Sequence, residues 1–257
     1  MYGLDEQLTE IRAISECVRT LASAIDVLVC VPATLISRAV DASGGGVAIG
    51  GEDCDAAISG AFTGDVSAEM LKDAGASAVI VGHSERRAKH HETDAMVAAK
   101  AAAAARAGLG AIICIGETKA QRDAGEALQV CSAQLESSLP VDRRLLAGSA
   151  IAYEPLWAIG SGSMPAGEVT SEVHAHIRQQ LKVLLGEREN SVPVLYGGSV
   201  TPDNATEILA LPEVGGVLVG GASLRSADFN AIVRAAAAIA GTSAASNAAD
   251  LAYRAGR

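Results

Sequence analysis

Tyr153-Glu154-Pro155-Leu156-Trp157-Ala158-Ile159-Gly160 sets a lone carboxylate between an apolar run and the only Trp of the chain. Ala150-Ile151-Ala152-Tyr153 reads as a buried strand, and Pro155, which has no N–H, stops its pairing. Glu154 is therefore expected at the C-terminal end of a strand, beside an apolar loop that Gly160 and Gly162 allow to close. A carboxylate drawn out of water beside such a loop gains proton affinity, as a general base requires. The competing reading is an ordinary strand-end Glu with Trp157 packed for stability.

His83 follows the apolar run Ala78-Val79-Ile80-Val81 and Gly82, and Ser84-Glu85 opens a helix. Amides at a helix N-terminus disfavour an imidazolium, so His83 is expected neutral and able to donate to a carbonyl oxygen. A satisfied structural His is the alternative. Gly197-Gly198-Ser199 and Gly220-Gly221 follow the last two apolar runs. Glycines let backbone N–H groups approach an anion such as phosphate, although tight turns use the same residues. His90 and His91 lie in a charged run, and His174 and His176 are two apart on a helix and face different ways. No metal site is expected. Neither GxGxxG nor GxxxxGK[ST] occurs, which argues against a nucleotide cofactor.

The elements that must carry these residues alternate. Apolar strands are expected at 27–31, 47–51, 78–81, 110–115, 150–153, 192–196 and 216–219. Helices are expected at 4–24, 33–41, 66–74, 93–107, 119–138, 168–186, after Pro202 and at 226–239. Continuous apolar strands belong to a parallel sheet covered on both faces. The class is α/β, either doubly wound or a closed barrel, with the chemistry-bearing residues after the strands. No interior linker is visible. A single domain over 1–240 is expected, with an Ala- and Ser-rich tail over 241–257, frayed or weakly helical. The long loop 52–65, with Asp53, Asp55 and Thr63, suits a contact with a partner subunit.

The 257 residues carry a net charge of −10, which opposes nucleic-acid binding. No apolar run approaches the roughly 18 residues of a membrane span. Aromatics make up only 3%, so the core must be aliphatic. The five Cys show no metal-like spacing and read as reduced thiols of a cytoplasmic protein.

Five segments together resemble the triosephosphate isomerase family: Ile80-Val81-Gly82-His83-Ser84-Glu85-Arg86-Arg87, Cys114-Ile115-Gly116-Glu117-Thr118, Tyr153 to Gly160, Tyr196-Gly197-Gly198-Ser199-Val200 and Leu218-Val219-Gly220-Gly221-Ala222-Ser223-Leu224. They occur in the family's order and spacing, over about residues 1–235. The resemblance implies a TIM (β/α)₈ barrel that interconverts dihydroxyacetone phosphate and D-glyceraldehyde 3-phosphate without a cofactor. Glu154 matches the base and His83 the neutral electrophile. Ser84 and Glu85 match supporting residues. Gly160, Ser199, Gly220 and Gly221 match the phosphate grip. Residues 155–165 match a lid that excludes water from the enediolate, and Tyr196 matches a residue that holds it shut. The 52–65 loop matches one that plugs into a second subunit of a homodimer, where Thr63 completes the partner's site.

The chain departs from the family at its start and at the far hinge of the lid, Ser163-Met164-Pro165. Family members begin with a strand ending in an Asn-x-Lys-Met-Asn-Gly-like segment, and Met1-Tyr2-Gly3 matches only its end. The expectation is a barrel lacking its first strand and weakened by the absence of that Lys. Two other functions fit part of the pattern: a barrel acting on a different phosphosugar, and a non-catalytic barrel protein binding a phosphate ligand or a partner.

Overall fold

A computed structural model describes residues 2–21, 25–160 and 165–255. Helices and strands alternate along the chain: α1 (Leu8–Arg19), β1 (Leu28–Val31), α2 (Ile36–Ser43), β2 (Ala48–Gly51), α3 (Ala68–Asp73), β3 (Ala78–Val81), α4 (Ser84–His90), α5 (Asp94–Arg106), β4 (Gly110–Ile115), α6 (Lys119–Asp123) and α7 (Ala127–Ser138). β5 (Ala150–Tyr153), α8 (Gly167–Leu185), β6 (Val194–Tyr196), α9 (Ala205–Leu209), β7 (Gly216–Val217) and α10 (Ser226–Ala255) complete it.

All strand pairs are parallel, and the sheet order is the chain order, β1 through β7. A doubly wound sheet reverses its strand order at a switch point, and none is present. This is the winding of a TIM barrel. Among the described residues seven strands form the sheet, and β1 and β7 are its two edges.

Alternation along each strand sorts the side chains. Val79, Val81, Ile113, Ile115, Ile151 and Val194 face the helices in the main core. Leu28, Cys30, Ile80, Ile112, Cys114, Ala152, Leu195 and Leu218 meet in a second, smaller cluster on the other face. The helices start where side chains can cap them. Ser67 accepts the Met70 amide at 3.2 Å and Thr93 the Met96 amide at 3.3 Å. The cysteines are all free, and Cys17, Cys54, Cys114 and Cys131 are buried.

Some boundaries differ from those expected. The stretch 119–138 is two helices, α6 and α7, because Gly125 breaks it at φ +75°. The last two strands are shorter, since β6 begins after Pro193 and β7 ends at Val217, although the Leu218 amide still donates to Tyr196 O at 2.8 Å. The last helix continues past 239 to Ala255. Parts of two expected features, the helix end at 22–24 and the lid residues 161–164, lie outside the described residues.

Candidate active site

Glu154 and Ala152 share one side of β5, so Glu154 points into the mouth above the inner cluster. The same alternation would send His83 outward with Val79 and Val81. Gly82 changes this. At φ +68° it turns the chain, and a Cβ there would lie 2.7 Å from Val97. His83 then faces inward, with Nε2 2.9 Å from Glu154 Oε1. The Glu154 carboxylate is 2% exposed. Its Oε2 accepts the Ser84 amide at 2.9 Å, and its Oε1 lies 3.4 Å from the Ser84 hydroxyl. Its own amide donates to Ile115 O at 2.7 Å. Gly116 makes room for this crossing, because a Cβ there would lie 1.8 Å from Glu154 O.

His83 also caps α4, its Nδ1 accepting the Glu85 amide at 3.3 Å. An acceptor Nδ1 carries no proton, so this geometry specifies the neutral tautomer with hydrogen on Nε2. Burial works against charge on the ring, but the bond to Glu154 and the charges of Glu154, Glu85 and Glu52 outweigh it and raise the proton affinity above the ordinary value. The two influences oppose each other. The raised affinity comes chiefly from the pairing with Glu154. The Nδ1 contact is part of the helix start.

Glu117, just beyond the end of β4, is fully buried and anchors the segment that follows β5. It accepts Tyr153 Oη at 3.1 Å and Trp157 Nε1 at 2.9 Å, and Arg122 lies 3.9 Å away. Burial, reinforced by the Glu117 charge, pushes the Tyr153 phenol far above its usual range. The turn after β6 meets the same segment, where the Ser199 hydroxyl donates to Ala158 O at 2.7 Å. Gly160 is the last described residue of the segment after β5, and Gly220 and Gly221 form the turn beyond β7.

His83, Ser84 and Glu154 thus converge. Glu85 contributes through its backbone, while its carboxylate pairs with Lys89 at 3.3 Å on the surface. Tyr196 is fully buried, and its hydroxyl has no hydrogen-bond partner in this arrangement. Thr63 is exposed on the 52–65 loop. His174 and His176 have separate partners, Glu213 O at 3.2 Å and Ser132 Oγ at 2.6 Å. Among the described residues no three His, Cys, Asp or Glu side chains are grouped to hold a metal ion. Residue types alone do not reveal that Glu117 binds Tyr153 and Trp157. The signal was its place one residue after a strand-end glycine, the pattern that singled out His83.

Comparison with known proteins agrees with this geometry. The sequence model of the triosephosphate isomerase family matches residues 1–236. The chain is 54% identical over 234 residues to the triosephosphate isomerase of Chelativorans sp. (strain BNC1), covering 90% of this chain and 92% of that one. It is 55% identical over 236 residues to that of Afipia carboxidovorans, covering 91% and 94%. The crystal structure of triosephosphate isomerase from Bartonella henselae superposes with a TM-score of 0.83 at 45% identity, covering 91% of this chain and 94% of that one. Matches of this length and identity place the chain in the triosephosphate isomerase family.

Proposed function

We propose that the chain interconverts dihydroxyacetone phosphate and D-glyceraldehyde 3-phosphate through an enediolate. Glu154 takes a proton from the carbon beside the carbonyl and returns it to the neighbouring carbon. The Nε2–H of His83 donates to the carbonyl oxygen, where charge develops, and passes its proton to that oxygen while taking back the hydroxyl proton of the neighbouring oxygen, so that the imidazole ends neutral as it began. The carrying observation is the 2.9 Å contact between His83 Nε2 and Oε1 of the buried Glu154. Backbone amides at Gly160, Ser199, Gly220 and Gly221 hold the phosphate, and no metal or cofactor takes part. In the ligand-free arrangement Glu154 rests on Ser84. Closure of the lid over the substrate frees the carboxylate, turns it to the reacting carbon and excludes water. Tyr196, its hydroxyl unused until then, takes a lid amide.

The test is turnover of glyceraldehyde 3-phosphate by the purified chain, with Glu154→Gln and Glu154→Asp beside it. Glu154→Gln is expected to lose at least about a thousandfold in kcat with little change in KM, since it removes the base and keeps the shape. Binding of triose phosphate without turnover in the unsubstituted chain sinks the isomerase and favours a phosphate-binding barrel.

The protein acts as a cytoplasmic homodimer in this reading. Ile58, Phe62 and Met70 are 57%, 51% and 55% exposed in and beside the 52–65 loop, an apolar group suited to burial by a second copy. Insertion of that loop carries Thr63 to the partner's site. No helix among the described residues is long and apolar enough to cross a membrane.

A further inference from the structure

Arg87 lies one turn into α4, and two of its groups bracket His83. Its backbone N–H donates to His83 O at 3.1 Å, and its side-chain Nε–H donates to Gly82 O at 2.8 Å. The far side of the guanidinium reaches the next strand, where Nη2 donates to Cys114 O at 3.0 Å. Nη2 also donates to Ser138 Oγ at 3.0 Å, and Nη1 to Asp94 Oδ1 at 2.5 Å. The Ser138 hydroxyl completes the ring by donating to Asp94 Oδ1 at 3.1 Å. The side chain is 18% exposed.

An ion pair that merely pinned α4 to α5 and α7 would need only Asp94 and Ser138. Arg87 also takes two main-chain carbonyls at the ends of β3 and β4. One precedes His83 directly. The other belongs to Cys114, next to Ile115, whose carbonyl takes the Glu154 amide at 2.7 Å. β4 stands between β3 and β5 in the sheet. A continuous set of bonds therefore crosses three strand ends, from the residue before His83 to Glu154 itself. A planar guanidinium meets two carbonyls at fixed spacing, which a lysine ammonium does not.

We infer that Arg87 is a positioning residue for the proposed reaction, its guanidinium fixing the ends of β3 and β4 and with them the separation of His83 from Glu154. The kinetic consequence rests on the triose phosphate isomerase reading. The geometric consequence does not. A displacement near 1 Å between reacting groups costs about a hundredfold in rate. Of the proposed phosphate grip, Ser199, Gly220 and Gly221 follow β6 and β7 and Gly160 lies six residues beyond Glu154, and Arg87 touches none of them.

Arg87→Met is expected to lose 10- to 100-fold in kcat with KM changed less than threefold. Arg87→Lys should recover only part of the loss. Arg87→Ala should regain at least tenfold in kcat when guanidinium ion is added at low millimolar concentration. Ile36→Ala, in a fully buried site on α2, serves as a control for lost stability and should keep kcat. Where Arg87→Met does not fold, Ser138→Ala takes its place, with a two- to fivefold loss. NMR titration of the His83 imidazole in Arg87→Met, or in Ser138→Ala where that replaces it, gives a reading independent of turnover. Its proton affinity should drop toward the ordinary histidine value as Glu154 moves away. An unchanged His83 titration in the folded variant overturns the positioning role, as does an equal kcat loss in the Ile36 control. A shifted titration in a chain that never turns over triose phosphate leaves the positioning role standing and sinks the reaction.

Discussion

The Ser84 amide donates to Glu154 Oε2 at 2.9 Å, on the side of the carboxylate away from the His83 contact. A carboxylate held this way has to leave an amide before it reaches a substrate carbon. The hydroxyl of Ser84, at 3.4 Å, adds little. Ser84→Ala keeps the amide and should lower kcat less than about tenfold, the worth of a long, weak hydrogen bond. Steady-state kinetics decide this. A thousandfold loss would mean that the hydroxyl itself takes part in the chemistry.

Gly82→Ala should be among the costlier single-atom additions to this chain. The left-handed φ of +68° strains any residue with a Cβ, and Val97 stands 2.7 Å away. Strain and overpacking together should cost about 2–4 kcal/mol. Urea denaturation measures the loss. Turnover in the folded fraction should also fall, because His83 is the next residue.

Glu117→Ala strips Tyr153 Oη and Trp157 Nε1 of a buried acceptor. Breaking such a network by removing its charged member costs about 3–5 kcal/mol. Trp157 is the only indole, so emission reports this site alone. The expected spectrum is shifted to the red, with a lower denaturation midpoint. An unshifted spectrum would show that the indole does not depend on Glu117.

His174 should set much of the acid limit of stability. Burial holds its proton affinity down, to a pKa of about 4, with Nδ1–H donating to Glu213 O and Nε2 buried without a partner. The unfolded chain binds the proton near pH 6.5, so the stabilising contribution is complete above that value. It is lost as pH falls from 6.5 toward 4, about 3 kcal/mol in all. His174→Phe should flatten this part of the stability curve. Denaturant titrations at pH 7 and pH 4 on both proteins give the difference.

Phe62→Asp places a charge on the exposed apolar group of the 52–65 loop. Sedimentation should show monomers for the variant and dimers for the parent. If the parent is itself a monomer, the proposed interface is wrong.

The strands are readable because each is an apolar run that ends in glycine, a polar residue or proline, but their order is not, since the same runs fit a doubly wound sheet until the pairing is seen. Glu154 stands out as the lone carboxylate on such a run. The inward turn of His83 depends on the φ of Gly82, which a letter G does not reveal. Arg87 looked like one more charge in Arg86-Arg87-Ala88-Lys89, since its acceptors are carbonyls distant in sequence or hidden beneath the helix. Gly125 does not announce a break, because residues 119–138 keep a helical apolar rhythm across it. Boundaries moved wherever hydrogen bonding, not hydrophobicity, ends an element.

The buried cysteines make chain opening measurable by simple reagents. Cys131, with no exposed surface, has its thiol pushed up to about 12 by burial and then by Glu117. Cys54 is pushed equally far, chiefly by burial, and Cys114 well above its usual range. At pH 8 about one molecule in ten thousand would carry a thiolate at such a group. Alkylation therefore has to wait for local or global opening. Identifying which cysteine is labelled first, by mass spectrometry of timed samples, would rank the regions around α5, β4 and α7 by how often each comes apart.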